Sequence, residues 1–101
     1  MITVIIPTLN EEENIASVVN FAKVQPNVSE VIVVDDKSLD KTVSIALDNG
    51  AKVITSTKLG KGASMKDGVL CANNQIVAFL DGDIDPYPHY TIKLLTDPIL
   101  Q

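Results

Sequence analysis

Two aspartates separated by a single glycine, Asp81-Gly82-Asp83, stand directly after an apolar run at positions 76–80. In an extended segment, residues two apart point to the same side, so the two carboxylates converge and repel each other unless a cation compensates. Hard divalent ions such as Mg2+ and Mn2+ prefer oxygen ligands, and the glycine lets a ligand approach the backbone closely. Asp and Gly also form ordinary turns, but the place of this motif after a buried strand favours a metal site.

A second acidic pair, Asp35-Asp36, follows another apolar run at positions 30–34. One aspartate at such a place often caps the next helix, but two adjacent aspartates exceed what a cap needs. A carboxylate at the end of a buried strand can accept hydrogen bonds from ribose hydroxyls or from a base N–H. The pair therefore favours a nucleotide-binding role over capping alone.

The segment Gly60-Lys61-Gly62 stands at the start of a predicted helix. Free backbone N–H groups at a helix start attract anions, and the lysine adds a positive charge, so the segment suits a diphosphate. The competing interpretation is a flexible glycine turn with a solvated lysine. A P-loop is excluded, because that motif needs a glycine where the chain has Thr55.

Other reactive side chains give weaker signals. The only histidine, His89, lies among prolines and tyrosines and is interpreted as a loop or helix-start residue. The only cysteine, Cys71, cannot form an internal disulfide and is interpreted as a helix residue of a protein in a reducing compartment, the cytoplasm. Neither a Ser-His-Asp triad nor a Cys/His metal cluster can be assembled from the chain.

Four apolar runs predict strands that are buried on both faces, at positions 2–6, 30–34, 51–55 and 76–80. Helical patterns separate these runs, starting near 10, 38–40 and 60–62, and a further helix is predicted after Pro88, interrupted by Pro98. This alternation predicts a three-layer α/β sandwich with a mostly parallel sheet and right-handed crossovers. We predict the strand order 3-2-1-4, with ligands bound at the carboxyl ends of the first and fourth strands.

Each predicted helix has one apolar face and terminal signals. Asn10 and Glu13 form a capping-box pattern at the first helix, and Gly50 suits a C-terminal cap of the second. The residues predicted to face the sheet are Ile15, Val18, Val19 and Ala22 in the first helix, Leu39, Val43, Ala46 and Leu47 in the second, and Met65, Val69 and Ala72 in the third.

Length and composition narrow the classes of function. The 101 residues suffice for one domain, 1–101, and 46% of them are hydrophobic, which predicts a packed core. The net charge is −5 and all eight basic residues are lysines, which argues against nucleic acid and anionic lipid as partners. No apolar run is long enough to cross a bilayer, and the chain opens on a strand pattern rather than a signal-peptide pattern.

Four blocks in sequence order carry a resemblance to a known family: VIIPTLNEE at 4–12, VVDDKSLDKT at 33–42, GKG at 60–62 and FLDGD at 79–83. With them the chain resembles the N-terminal half of family-two-like glycosyltransferases, which have the Rossmann-like GT-A fold of nucleotide-diphospho-sugar transferases. The first blocks are similar to those of dolichyl-phosphate mannose synthases. The segment Asp85-Pro86-Tyr87-Pro88 is similar to the corresponding part of glucosyl-3-phosphoglycerate synthases.

The resemblance implies transfer of a sugar from a UDP- or GDP-linked donor to an acceptor such as a phosphorylated compound or a lipid phosphate. It also implies Mg2+ or Mn2+ as the cofactor that stabilises the leaving nucleotide diphosphate. Asp83 is the implied metal ligand, and Asp35 or Asp36 would contact the base. The full set of implied nucleotide-binding residues is Pro7, Thr8, Glu11, Asp35, Asp36, Lys61, Asp81 and Gly82.

The length of the chain leaves alternatives open. Members of the family run to more than about 200 residues, so the acceptor site and the catalytic base are expected beyond Gln101. The chain would then be a donor-binding half, and the alternative is a nucleotide- and metal-binding fragment or subunit without transfer activity. An uncovered fourth strand would favour a homo-oligomer. A phosphoacceptor receiver domain is less favoured, because its acidic pair follows the first strand and not the second.

Overall fold

The computed structural model describes residues 1–58, 60–80 and 93–95 of the chain. Strands and helices alternate along these residues. The elements are β1 (Ile2–Thr8), α1 (Ile15–Lys23), β2 (Val28–Asp35), α2 (Thr42–Asp48), β3 (Lys52–Thr55), α3 (Lys61–Cys71), β4 (Ile76–Phe79) and β5 (Lys93–Leu95). None of the helices in this part of the chain is long and apolar enough to cross a membrane.

The sheet has the order β3-β2-β1-β4-β5, and its first four members in sequence run parallel. The predicted order 3-2-1-4 is therefore confirmed. β1 lies between β2 and β4, and its residues from Thr3 to Thr8 are all buried. A strand that is buried along nearly its whole length belongs in this central place, because both of its faces are covered by helices.

Successive residues of the central strands contribute to two apolar clusters, one on each face of the sheet. On one face, Val4 and Ile6 pack with α1 and with Ala46 of α2. On the other face, Ile5 belongs to a smaller cluster, and α3 lies against it at Gly68. The predicted three-layer α/β sandwich thus has α1 and α2 on one side of the sheet and α3 on the other.

β5 is a short antiparallel strand that the sequence analysis missed. Its register pairs Val77 with Leu95 and Phe79 with Lys93. The prediction of a helix after Pro88 is wrong for residues 93–95, and the prediction of an uncovered fourth strand is also wrong. The edge of β4 offers unpaired backbone groups, and three residues in an extended conformation satisfy them. The remainder of the predicted helix, including Pro98, lies outside the described residues.

The first helix begins later than its capping pattern predicts. Its N-cap is Asn14, whereas Asn10 has a positive φ of 52° and lies in the loop before the helix. The Asn10 side chain accepts a hydrogen bond from the Leu39 backbone N–H (2.8 Å), so it is engaged with a distant loop and not with α1. The predicted inner face is confirmed, because Ile15, Val18, Val19 and Ala22 are all fully buried.

The structure confirms the predicted C-terminal cap of α2 at Gly50 but only part of its predicted inner face. Gly50 has φ 89° and donates to the Leu47 carbonyl (3.0 Å), while Ala51 donates to Ala46 (3.1 Å), which is a Schellman ending. Leu39 precedes the helix and is 95% exposed, and Leu47 is 55% exposed. The buried positions are Thr42 and Ala46. Thr42 faces inward because its hydroxyl group has polar partners in the loops.

The inner face of the third helix is made of small residues. Ser64 and Gly68 are buried, whereas Val69, which was predicted to face inward, is 39% exposed. Met65 and Ala72 are half-buried. A Cβ atom at Gly68 would stand only 2.4 Å from Ile5 Cγ2, so α3 approaches β1 too closely for a larger side chain. Apolar periodicity does not detect a face of this kind.

A polar network ties the strands together at the amino end of the sheet. Glu30 of β2 accepts hydrogen bonds from the Thr3 hydroxyl (2.7 Å) and from the backbone (2.9 Å) and side chain (2.7 Å) of Asn73, and Lys52 Nζ lies 3.7 Å away. The Asn74 side chain donates to Thr3 Oγ1 (3.0 Å). Burial raises the pKa of Glu30, but these donors and the lysine charge outweigh it, so the pKa lies below its ordinary value.

Replacing Glu30 with glutamine should lower the free energy of unfolding at neutral pH by about 1–2 kcal/mol, because charge-assisted hydrogen bonds become neutral ones. The folded-state pKa is depressed, so this contribution is complete above the ordinary pKa of 4.5 and is lost as the pH falls through the lower folded value. Urea unfolding at a series of pH values measures the difference. The exposed Glu13→Gln variant is the control, and a difference that stays constant down to acidic pH would contradict the assignment.

Candidate functional site

The carboxyl ends of β1 and β2 lie side by side and bring two predicted site residues together. Thr8 and Asp35 are register partners, and the Asp36 backbone N–H donates to the Thr8 carbonyl (2.8 Å). The Thr8 hydroxyl donates to the Ile6 carbonyl (2.9 Å) and is buried. Pro7 is buried beside it. These residues form the floor of a polar region between the two strand ends, as expected where parallel strands end.

Asp35 is occupied by contacts within its own loop. Its Oδ1 accepts a hydrogen bond from the Ser38 hydroxyl (2.5 Å) and its Oδ2 accepts one from the Ser38 backbone N–H (3.0 Å). Only 4% of the residue is exposed. This is the arrangement by which an aspartate shapes the turn that follows it. Asp35 therefore holds the loop between β2 and α2.

Asp36 is different, because one of its carboxylate oxygens has no partner in the part of the chain that the structure describes. Its Oδ2 accepts a hydrogen bond from the Gly60 backbone N–H (3.2 Å), which lies at the start of α3. Its Oδ1 is buried and accepts no hydrogen bond from residues 1–58, 60–80 or 93–95. A buried unpaired acceptor costs about 1–3 kcal/mol, and more when it is charged. Such an oxygen is suited to accept a hydrogen bond from a ligand.

The loops after β1 and β2 are joined by side chains that bond to the backbone of the opposite loop. The Asn10 backbone N–H donates to Ser38 Oγ (2.8 Å), and the Leu39 backbone N–H donates to the Asn10 side-chain oxygen (2.8 Å). Ser38 thereby contacts both Asn10 and Asp35. The positive φ of Asn10 fits this role, because asparagine tolerates the left-handed region better than most residues.

A second set of cross-loop bonds centres on Asp40 and Thr42. The Glu11 backbone N–H donates to Thr42 Oγ1 (2.8 Å), and the Thr42 hydroxyl donates to Asp40. The backbone N–H groups of Thr42 (3.0 Å) and Glu12 (3.2 Å) also donate to Asp40. Partial burial raises the pKa of Asp40, but the hydrogen bonds from these donors lower it by a larger amount. The pKa of Asp40 therefore lies below its ordinary value. Glu11, a predicted site residue, is thus held at its backbone beside the strand ends.

The start of α3 is the third part of this region. Gly60 has φ 104°, a backbone conformation that favours glycine, and Lys61 is the first residue of the helix. Contact between Gly60 and Asp36 places this helix start at the loop after β2. Of the residues predicted from sequence, the structure therefore brings Pro7, Thr8, Glu11, Asp35, Asp36 and the backbone of Lys61 to one edge of the sheet.

Three loops thus meet at one edge of the sheet. Comparison of the sequence with protein families finds one family that matches nearly the whole chain. The model of glycosyl transferase family 2 matches residues 3–101. The chain belongs to glycosyl transferase family 2. The resemblance found in the four sequence blocks is thereby confirmed.

Relatives within family 2 include a glucosyl-3-phosphoglycerate synthase of Mycolicibacterium smegmatis. It is 37% identical over 105 residues, an alignment that covers 93% of this chain and 35% of the relative. The structure of the glucosyl-3-phosphoglycerate synthase of Mycobacterium tuberculosis with Mn2+, UDP-glucose and phosphoglyceric acid is also similar. Its TM-score is 0.79 at 33% identity, with 87% of this chain and 35% of that chain covered.

The same mycobacterial enzyme in complex with Mg2+ and UDP gives a TM-score of 0.78 at 33% identity, covering 87% of this chain and 35% of that chain. The solved structures therefore share the fold of this family-2 chain. The chain spans about a third of the length of the relatives it matches.

The acidic motif of this family-2 chain, Asp81-Gly82-Asp83, lies outside the described residues, and its predicted roles remain predictions. β4 is parallel to β1, so its carboxyl end points towards the same edge as Thr8. The Leu80 backbone N–H donates to the Ile5 carbonyl (3.1 Å), which keeps the chain beside β1 up to the motif. Within residues 1–58 and 60–80, no three acidic, histidine or cysteine side chains are grouped to hold a metal ion.

Sequence reasoning missed several residues that shape the site. It did not assign Ser38, Asp40 or Thr42 to the cross-loop bonds, and it assigned no role to Asp67. Ser, Thr, Asp and Asn near helix starts usually signal local capping. Here they bond to backbone groups 28 to 31 residues away. The sequence does contain one signal of these cross-loop bonds: Ser, Thr, Asp and Asn, the residue types that cap helices, occur in two successive strand-to-helix loops.

Proposed function

We propose that this chain binds the nucleotide-sugar donor of a metal-dependent glycosyltransferase that moves a sugar to a phosphorylated acceptor. The observation that carries the proposal is the buried Oδ1 of Asp36, which has no partner among the described residues and lies at the edge where the β1, β2 and β3 connections meet. Membership of glycosyl transferase family 2 supports it. The mycobacterial relative solved with Mn2+, UDP-glucose and phosphoglyceric acid also supports it.

The geometry of Asp36 favours a uracil base over guanine. Its Oδ2 already accepts the Gly60 N–H, so one buried carboxylate oxygen is left for a ligand. Uracil presents a single imide N–H, which one acceptor satisfies. Guanine presents adjacent N1–H and N2–H2 donors that a carboxylate satisfies best with both oxygens. Pro7 and Thr8 would line the same pocket below the base and ribose, with Glu11 at its rim.

The diphosphate would lie towards the start of α3 and the acidic motif. A helix start and the charge of Lys61 favour an anion there. Asp83, with Asp81 and Gly82 beside the ribose, would hold Mg2+ or Mn2+, since carboxylates are the ligands that these ions prefer. The bound ion would supply electrostatic stabilisation of the negative charge on the departing nucleotide diphosphate. The described residues would orient the donor and exclude water from its base.

The acceptor and the compartment are part of the same proposal. A small phosphorylated acceptor is favoured over a lipid phosphate, because the similar solved enzyme contains phosphoglyceric acid. A cytoplasmic location is favoured because Cys71 is free and exposed, as suits a reducing compartment. The alternative function is binding of nucleotide and metal without transfer. Release of UDP from UDP-glucose in the presence of phosphoglyceric acid distinguishes transfer from binding alone.

Titration of the chain with UDP by calorimetry tests donor binding. We expect UDP to bind more tightly than GDP, and Mn2+ to strengthen the binding of both. Replacing Asp83 with alanine should remove the gain from Mn2+ and leave metal-free binding unchanged, because only the metal contact is lost. Asp48→Ala, at an exposed position in α2, is the control. Mn2+ dependence that survives in Asp83→Ala would exclude the predicted ligand.

A further inference from the structure

Asp67, in the second half of α3, bonds to the connection that precedes its own helix. Its Oδ2 accepts the Thr57 backbone N–H (2.8 Å), and both carboxylate oxygens lie within bonding distance of the Thr57 hydroxyl (3.0 and 3.1 Å). The Ser56 hydroxyl is 3.4 Å from the same carboxylate. The Thr57 N–H is the largest cause of the downward shift in the pKa of Asp67, so this side chain is ionised at neutral pH.

The connection from β3 to α3 is therefore held at three points. The Ser56 backbone N–H donates to the Asp35 carbonyl (2.8 Å), Thr57 is bound by Asp67, and the Gly60 N–H donates to Asp36 (3.2 Å). The first point joins the connection to β2 and the second joins it to α3. The third is a bond to Asp36, whose other carboxylate oxygen has no partner within the described residues.

We propose that Asp67 is a positioning residue for the nucleotide site, holding the β3–α3 connection so that Gly60 stays bonded to Asp36. The inference rests on the proposed donor binding. Asp67 is on the same helix as Gly68, which packs directly against Ile5 of β1. The Asp67 carboxylate therefore projects from a part of α3 that is held in place by packing. Its hydrogen bonds to Thr57 fix the exposed connection that leads to Gly60. Without it, Gly60 loses an anchor and Asp36 Oδ2 becomes available to water.

The test measures the order of Gly60 and the affinity for UDP in the same variants. In Asp67→Ala, the backbone order parameter of Gly60 should fall from about 0.85 to below about 0.6. The Kd for UDP should rise about 5- to 10-fold, as expected if the bonded arrangement is present in about a tenth to a fifth of molecules. Asp67→Asn should restore both values, because its amide oxygen can accept the Thr57 N–H. Asp48→Ala is the matched control, an aspartate on the exposed surface of α2.

A double variant separates positioning from general stability. If Asp67 acts through Gly60 and Asp36, Asp67→Ala should add no loss of UDP affinity to Asp36→Ala. An equal loss in both backgrounds would overturn the inference, and so would an unchanged Gly60 order parameter in folded Asp67→Ala. Should that variant fail to fold, Thr57→Pro, which removes the N–H that Asp67 accepts, carries the test, and an unaffected Gly60 overturns the inference there. Absence of UDP binding by the unaltered chain would refute donor binding instead, while the Gly60 measurement would still decide the role of Asp67.

Discussion

Replacing Asp36 with asparagine should weaken UDP binding about 10- to 100-fold, because a hydrogen bond to a charged group contributes about 1.5–3 kcal/mol. The substitution keeps the shape of the side chain. The amide oxygen of the variant can serve only one of the two donors, so either the Gly60 N–H or the base loses its acceptor. Calorimetric titration of UDP into both proteins under the same metal concentration measures the effect.

The same variant should unfold at nearly the same temperature as the unaltered chain, because the weaker bond to the Gly60 N–H is offset by the removal of a buried charge. Asp36 Oδ1 has no partner within the described residues, so it adds no hydrogen bond to the folded chain there, and its burial as part of a charged group is unfavourable. A loss of affinity without a loss of stability is the expected signature of a residue retained for binding. Asp48→Asn is the matched control in the exposed part of α2. An unchanged Kd in Asp36→Asn would exclude Asp36 as the base acceptor.

Replacing Gly68 with alanine should lower the free energy of unfolding by about 1–3 kcal/mol, the usual effect of inserting a methyl group into a filled core. The new Cβ would stand 2.4 Å from Ile5 Cγ2. That methyl group is attached to a branched carbon with a stiff χ1, and Ile5 is fully buried in the central strand, so it cannot rotate away freely. Either α3 moves outward or β1 shifts, and both changes disturb the sheet. Urea unfolding monitored by circular dichroism measures the loss.

Gly62→Ala provides a control in the same helix. A Cβ at Gly62 meets nothing within 4 Å, so this substitution should stabilise the protein by about 0.4–1 kcal/mol through the lower entropy of the unfolded chain. The opposite signs separate packing from helix propensity, which favours alanine at both positions. Combining Gly68→Ala with Ile5→Ala should cost less than the sum of the single changes, because the clashing methyl group is absent. Equal effects at positions 62 and 68 would contradict the close contact.

The arrangement of the sheet could be predicted from sequence because it follows from apolar runs. Continuous burial of the first strand and the alternation with helices lead to the order 3-2-1-4, which the structure has. The inner face of α3 could not be predicted in this way, because Ser64 and Gly68 carry no apolar signal. The β5 strand is equally hidden, since three residues gain their conformation from the neighbouring edge of β4 and not from their own pattern.

The sequence predicts the region of the candidate site, but the hydrogen-bond partners of its residues depend on the folded structure. Sequence alone treats Asp35 and Asp36 alike, since both follow the same strand. Only the positions of Ser38 and Gly60 reveal that both carboxylate oxygens of Asp35 accept hydrogen bonds, whereas one oxygen of Asp36 has no partner among the residues that the structure describes. Asn10 was assigned to the nearest helix by a local rule. Its bond to Leu39 depends on the pairing of β1 with β2, which brings the two loops together.

The cross-bonded loops at residues 10–12 and 38–42 have a consequence for how such a protein can change over generations. Backbone donors in each loop are satisfied by side chains of the other, in both directions. An insertion or deletion in one loop would leave polar groups stranded in its neighbour. We therefore expect the lengths of these two loops to vary together among descendants of this sequence, with single side-chain substitutions accepted more readily than a change in the length of either loop alone.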